Sequence, residues 1–236
     1  MSVFYNSKIV TDGLVLCLDA ANRKSYPGSG TTWTDLSGGG NNGSLINGVG
    51  YNSANGGILV YDGLNDYVNI GNQNIIGSGT APFSFEMWLY NIRSFSAGQY
   101  TTLVTLRQDT EFFINLYRPT DTLHVYSAFR GQNQWGIPVV QSDYFNKWIC
   151  LNVVYNGGNK STASSFITYL NSTQLPTPNV NFSTAGGSSN SNTIGTDGAN
   201  GGFHQGNIGS YKVYNRALSA AEIQRNFNAT RGRYGI

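Results

Sequence analysis

The feature that most constrains this chain is its punctuation. Apolar, β-branched and aromatic runs of four to nine residues recur along it, each closed by a cluster of Gly, Asn or Ser. Runs of that length are strand-sized, and their regular return between turn residues is the pattern of an antiparallel sandwich. Strands are expected near 13–19, 57–62, 67–70, 83–90, 101–107, 111–117, 123–129, 147–155, 165–171, 192–195 and 207–214. Composition agrees. The 236 residues include 30 Gly, 28 Asn, 23 Ser and 19 Thr, and only 11% are charged, against about 25% in an ordinary soluble domain. Solubility therefore rests on amides, hydroxyls and backbone, which suits turns better than salt-bridged helices. The expected fold class is all-β.

The run Phe83-Ser84-Phe85-Glu86-Met87-Trp88-Leu89-Tyr90 alternates. Phe83, Phe85, Met87 and Leu89 share one face by the period of two, and Ser84, Glu86, Trp88 and Tyr90 share the other, expected to be wet and open to ligand. Residues 147–155 (KWICLNVVY) are apolar on both faces apart from Asn152, as in a central strand covered on each side. They end at Asn156-Gly157-Gly158-Asn159, a hairpin-type turn that directs 165–171 back onto them. One helix is legible: Ser219-Ala220-Ala221-Glu222 is a capping box, followed by Ile223 and Phe227 on one stripe, and it is expected over a sheet edge. No linker divides the chain, so residues 1–236 are read as one domain with loops at 38–43, 184–192 and 198–202.

Lys and Arg number 14 against 12 Asp and Glu, a net charge of +2, and the longest basic run is Arg23-Lys24. That removes the electrostatic footprint of nucleic-acid binding. Met1–Lys8 carries neither a signal-peptide pattern nor the start of a membrane span, so no membrane insertion is expected. Cys17 and Cys150 lie in apolar strand-like segments and are read as buried reduced thiols.

Retaining glycoside hydrolysis needs two carboxylates about 5 to 5.5 Å apart. The nearest approach is Asp109-Thr110-Glu111, better read as a turn, while Glu86 stands alone on its strand and suits an outward position or a bond to Arg93 or Arg107. With His124 and His204 as the only histidines and no nucleophile constellation, no enzyme is expected. Asp62, Asn65 and Asp66 place three oxygen-bearing side chains in one turn. They suit either a calcium ion or a hairpin in which the carboxylates cap backbone N–H groups, and Asp19, Asn22 and Asp35 offer the same two readings. No cofactor other than such a calcium ion is expected. Sugar binding needs an aromatic platform beside amides or charges. The richest stretch is 127–135, which supplies Arg130, Asn133, Gln134 and Trp135 as ligand candidates, joined by Arg118 from the preceding strand end and His204 from a late loop. The same residues suit loop tips or a protein interface equally well.

Four segments together resemble the concanavalin A-like, laminin-G-like jelly rolls. They are Gly13-Leu14-Val15-Leu16-Cys17-Leu18-Asp19 with Trp33-Thr34-Asp35-Leu36-Ser37-Gly38 and Asn41-Asn42-Gly43-Ser44-Leu45; the hairpin 59–68 (LVYDGLNDYV); the strand Phe83-Ser84-Phe85-Glu86-Met87-Trp88; and the tail 206–223, shared with pentraxins. The resemblance implies a two-sheet jelly roll with one short C-terminal helix, a fold that hosts lectins, enzymes and inert structural domains. The segment Leu18-Asp19-Ala20-Ala21-Asn22 with Ser25-Tyr26 and Asp35-Leu36-Ser37 also resembles stand-alone structural proteins of tailed bacteriophages. That likeness implies a non-catalytic virion-surface protein, a capsid decoration or a tail or fibre part, located on the virion in many copies. Its partners would be other virion structural proteins and host glycans. The other reading is a carbohydrate-binding lectin module of a cellular or secreted protein.

Overall fold

The computed structural model describes residues 8–107, 111–129, 131–182, 191–197 and 201–236. The first third of the chain forms β1 (Leu14–Asp19), β2 (Thr32–Trp33), β3 (Gly43–Ile46), β4 (Gly50–Asn52), β5 (Ile58–Asp62) and β6 (Tyr67–Gly71). The middle forms β7 (Phe83–Asn91), β8 (Gln99–Leu106), β9 (Phe112–Arg118), β10 (Leu123–Phe129), β11 (Gln134–Val139) and β12 (Trp148–Tyr155). The remainder forms β13 (Phe166–Leu170), β14 (Thr173–Gln174), β15 (Val180–Phe182), β16 (Asn192–Ile194) and β17 (Gln205–Tyr214), then the helix α1 (Ala220–Thr230).

These strands make two antiparallel sheets. Sheet A runs β14-β13-β12-β7-β17-β5-β4, and sheet B runs β15-β11-β10-β9-β8-β16-β6-β3-β2. With ten residues, β17 is long enough to pair with β7 on one edge and to divide its other edge between β5 and β1. That arrangement brings the first and last strands together. Alternation then separates the faces. Phe83, Phe85, Met87 and Leu89 of sheet A meet Leu106, Phe112, Ile114, Leu116, Val125 and Phe129 of sheet B in one buried core. Each such side chain contributes roughly 1.5–3 kcal/mol by leaving water, so the core is the main stabilising term. Phe83 packs edge-on against Phe112 at 4.8 Å between centroids, joining the two sheets.

Four expectations are corrected. Residues 134–139 form a strand, although Gly136 and Pro138 disguise them as loop. Pro138 lies beyond the three residues of β11 that β15 pairs, where a missing N–H is tolerated. The face of β7 that carries Glu86 and Trp88 is sealed rather than wet, because α1 lies across the face of sheet A and not over its edge. Trp88 stacks between Phe227 (5.6 Å, 9°) and Tyr234 (4.1 Å, 14°), and its indole N–H donates to Thr230 Oγ1 at 2.9 Å. The apolar rings on that face leave water only if something covers them, and α1 supplies the cover. Finally, Glu86 bonds neither Arg93 nor Arg107. Its Oε1 accepts from Lys212 Nζ at 2.6 Å, both residues being almost wholly buried.

Register sets Asn152, Glu86, Lys212 and Cys17 side by side across four strands. Burial alone pulls the Lys212 ammonium down, but Glu86, Cys17 and Tyr214 together more than offset this and raise its pKa. Both cysteines are free and buried, as expected, and burial pushes the Cys17 thiol up to about 11. The capping box forms as the sequence predicts, with Ser219 accepting from Glu222 N–H. Arg216 grips the Glu222 carboxylate through two nitrogens at 3.0 and 2.6 Å, which, with the Ser219 N–H, holds its pKa down to about 2. Among the described residues no helix is long and apolar enough to cross a membrane.

Candidate functional site

The outer face of sheet B differs from that of sheet A. Along β9, Phe112, Ile114 and Leu116 point into the core, so Phe113, Asn115 and Tyr117 point away from it. On β10 the same alternation turns His124 and Tyr126 outward. Residues directly opposite on paired strands share a face, and the register aligns them in rows. Tyr100, Tyr117 and His124 form one row across β8, β9 and β10. Thr102, Asn115, Tyr126 and Gly136 form the next, reaching β11.

The first row is aromatic. Tyr100 and Tyr117 meet edge-on with centroids 6.4 Å apart. Tyr117 lies 5.5 Å from Tyr126, which lies 5.8 Å from His124. Tyr126 and His124 form a buried floor, while Tyr100, Asn115 and Tyr117 are half-buried. Gly136 keeps this approach close, since a Cβ at that position would stand 3.2 Å from the Tyr126 ring, tighter than an ordinary contact. Gly202, at φ +58°, likewise lets the late loop close on Tyr100 and Thr102, where a side chain would collide with the tyrosine ring. Its carbonyl accepts from Thr102 N–H at 2.8 Å and from Thr101 Oγ1 at 3.1 Å, fixing that wall.

The second row is polar and not internally satisfied. Thr102 Oγ1 and Asn115 Oδ1 are buried atoms with no hydrogen-bond partner, although buried polar groups are normally paired. Burial holds the His124 imidazole below its ordinary pKa, against the pull of the Thr122 carbonyl it bonds at 3.0 Å, so at neutral pH it is uncharged. The arrangement can therefore present ring faces and edges to an apolar surface, with a hydroxyl and an amide immediately alongside.

The residues expected from sequence are distributed differently. Trp135 packs inward against the core and its indole N–H donates to Ser161 O at 3.0 Å. Asn133 Nδ2 donates to the same oxygen at 3.3 Å. Both tie the β10–β11 turn to the loop after β12. Arg118 stands at the opposite end of sheet B and donates to Phe95 O at 2.6 Å, holding the segment after β7. His204 has no exposed surface, its ring 5.8 Å from that of Tyr61, and burial lowers its pKa to about 4. Arg130 lies outside the described residues, as does Asp109. Only Gln134, half-buried and on the outward side of β11 two residues before Gly136, borders the tyrosine rows.

In the 62–66 turn, Asp62 Oδ1 accepts from Leu64 N–H at 2.7 Å and Asn65 N–H at 3.3 Å, and Asp66 Oδ2 accepts from Asp62 N–H at 3.1 Å. The Leu64 N–H above all lowers the Asp62 pKa, whereas burial raises that of Asp66. In the second oxygen cluster, Asp35 accepts from Cys17, Ser37 and Asn41 N–H groups, and Asp19 accepts from Arg233 at 2.7 Å. Turn and loop bonds thus engage the carboxylates of both clusters. Among the described residues no group of three or more His, Cys, Asp or Glu is placed to hold a metal.

A two-sheet jelly roll whose closing strand lies beside its first, with an aromatic and polar outer sheet face, defines a lectin-like architecture. A family model described as the concanavalin A-like lectin/glucanases superfamily matches residues 62–224, more than half of the sequence. The chain belongs to that superfamily. No curated protein sequence matches it. Among solved structures it is similar to domain 4 of AbnA, a GH43 extracellular arabinanase from Geobacillus stearothermophilus in complex with arabinotriose. The TM-score is 0.60 at 14% identity, covering 92% of this chain and 98% of that one. It is similar also to the binding domain of Paraclostridial Mosquitocidal Protein 1, with TM-score 0.64 and 17% identity over 93% of this chain and 52% of that one. The binding domain of botulinum neurotoxin DC, in complex with rat synaptotagmin II, gives TM-score 0.65 and 14% identity over 94% and 52%. The chain spans about half the length of these toxin domains. At such identities the likeness is one of fold.

Proposed function

We propose that this protein is a non-catalytic glycan-binding domain that uses the tyrosine rows of sheet B, displayed in many copies on the surface of a tailed-bacteriophage virion. The observation that carries the glycan reading is the aromatic row Tyr100–Tyr117–His124 lying directly beside the polar row Thr102–Asn115–Tyr126. A sugar ring has the same two sides, an apolar C–H face and a rim of hydroxyls. The arabinanase domain, bound to arabinotriose in its own structure, and the two toxin binding domains support a contact role for this architecture. Glu86 supports the non-catalytic part: it is spent on Lys212 beneath α1, away from any solvent-reachable cleft.

The virion setting rests on the sequence resemblance to phage structural proteins and on a surface with few charges. Its partners there are capsid or tail proteins on one side and host glycans on the other. A glycan array read with the wild-type protein and with Tyr117→Ala tests the binding site. Signal lost in the variant, with an unchanged melting temperature, supports the site; signal retained sinks it. Mass spectrometry of purified particles tests the setting, and a protein missing from them would favour a lectin module of a cellular or secreted protein.

A further inference from the structure

The orphaned atoms in the second row specify more than a sugar. Resting on the reading just given, we infer that the site selects uncharged, hydroxyl-rich glycans and excludes those bearing carboxylate or sulfate, with Asn115 as the specificity-determining residue and Thr102 as an added hydroxyl partner. Asn115 Oδ1 is an acceptor without a donor, and Thr102 Oγ1 has no partner although its residue is fully buried. An acceptor is satisfied only by a group that brings a proton. A sugar hydroxyl does so, whereas a carboxylate or sulfate oxygen only accepts and would face Asn115 Oδ1 lone pair to lone pair.

An anion would also need a countercharge. Tyr100, Tyr117 and His124 in one row, and Thr102, Asn115 and Tyr126 in the next, supply none at neutral pH, since His124 is held uncharged. The cation nearest in sequence to the tyrosines, Arg118, donates to the Phe95 carbonyl at 2.6 Å. Neighbouring strands stand about 4.8 Å apart, so rows crossing three or four strands match a short oligosaccharide rather than a single sugar.

The test compares matched glycans that differ only in a terminal sialic acid, uronate or sulfate, titrated against wild type, Asn115→Leu, Thr102→Val and Tyr117→Ala, with melting temperatures as the folding control. Wild type is expected to bind the neutral member at least tenfold more tightly than its acidic counterpart. Asn115→Leu is expected to lose at least tenfold on the neutral glycan, and Thr102→Val a smaller but measurable amount. Gln134→Arg, which adds a cation at the border, should narrow the neutral-to-acidic ratio. A wild-type preference for the acidic glycan overturns the inference while leaving the site in place, provided Tyr117→Ala abolishes binding. Unaltered affinity in Asn115→Leu overturns the assigned role of that residue. Binding that survives Tyr117→Ala, or no binding to any glycan, overturns the underlying reading instead.

Discussion

Each sheet carries a row of polar side chains across its outer face, and the two rows have opposite fates. On sheet A, Asn152, Glu86, Lys212 and Cys17 include a charged pair closed at 2.6 Å and covered by α1. On sheet B, Thr102, Asn115 and Tyr126 carry no charge, and the row reaches the surface at Asn115. Polarity alone therefore does not mark a recognition surface. Both rows hold unpartnered oxygens, Glu86 Oε2 and Asn152 Oδ1 in the sealed one and Thr102 Oγ1 and Asn115 Oδ1 in the other; what separates them is that the sealed row neutralises its charges internally and the half-buried row has none to neutralise.

That contrast is best broken by deleting polar groups from each face. Lys212→Met should have the largest effect, because it leaves the Glu86 carboxylate buried and unpaired at a cost of about 3–5 kcal/mol, or on the order of 10 °C in melting temperature. Adding Glu86→Gln to it should recover most of the loss, and a double variant no more stable than the single would refute the pairing. Next comes acidification. His204 has its pKa lowered to about 4 by burial, against roughly 6.5 when unfolded. Its contribution is whole above about pH 6.5 and is lost as pH falls toward about 4, on the order of 3 kcal/mol. Thermal melts between pH 7 and pH 4 should show this decline, and His204→Phe should flatten it.

Glu222→Gln should cost about 1 kcal/mol through the helix cap and the part-exposed Arg216 pair, visible as a small shift in urea midpoint. The wild-type contribution of Glu222 is present above its unfolded pKa near 4.3 and is lost as pH falls toward about 2. The smallest expected change is the most discriminating. Thr102→Val on sheet B should leave the melting temperature level or raise it slightly, since it removes an unsatisfied buried hydroxyl without changing shape. A loss as large as that of Lys212→Met would erase the distinction between the faces.

Much of the fold was legible because strands of this length announce themselves through alternation and turn chemistry: β7, β10, β12 and α1 fall where the runs and the capping box place them. What escaped was pairing at a distance. Nothing local tells Glu86 that Lys212 lies 126 positions away on the adjacent strand, so its face read as wet. β11 escaped because Gly136 and Pro138 are turn residues used inside a strand. The tyrosine rows of sheet B escaped for a related reason. Trp135 stands out in the sequence beside amides and arginines, whereas Asn115, Tyr117, His124 and Tyr126 advertise themselves only when 112–117 and 123–126 are read with a period of two, and Tyr100 and Thr102 join them only through register.

The pleat of β9 carries one last consequence. Phe112, Ile114 and Leu116 anchor the interior, while Phe113, Asn115 and Tyr117, interleaved with them, face outward. Substitutions at the half-buried Asn115 and Tyr117 can accumulate without perturbing the packing that lets the chain fold, whereas Phe113 is itself buried. A lineage could thus retarget what the molecule touches one codon at a time, keeping a serviceable body throughout.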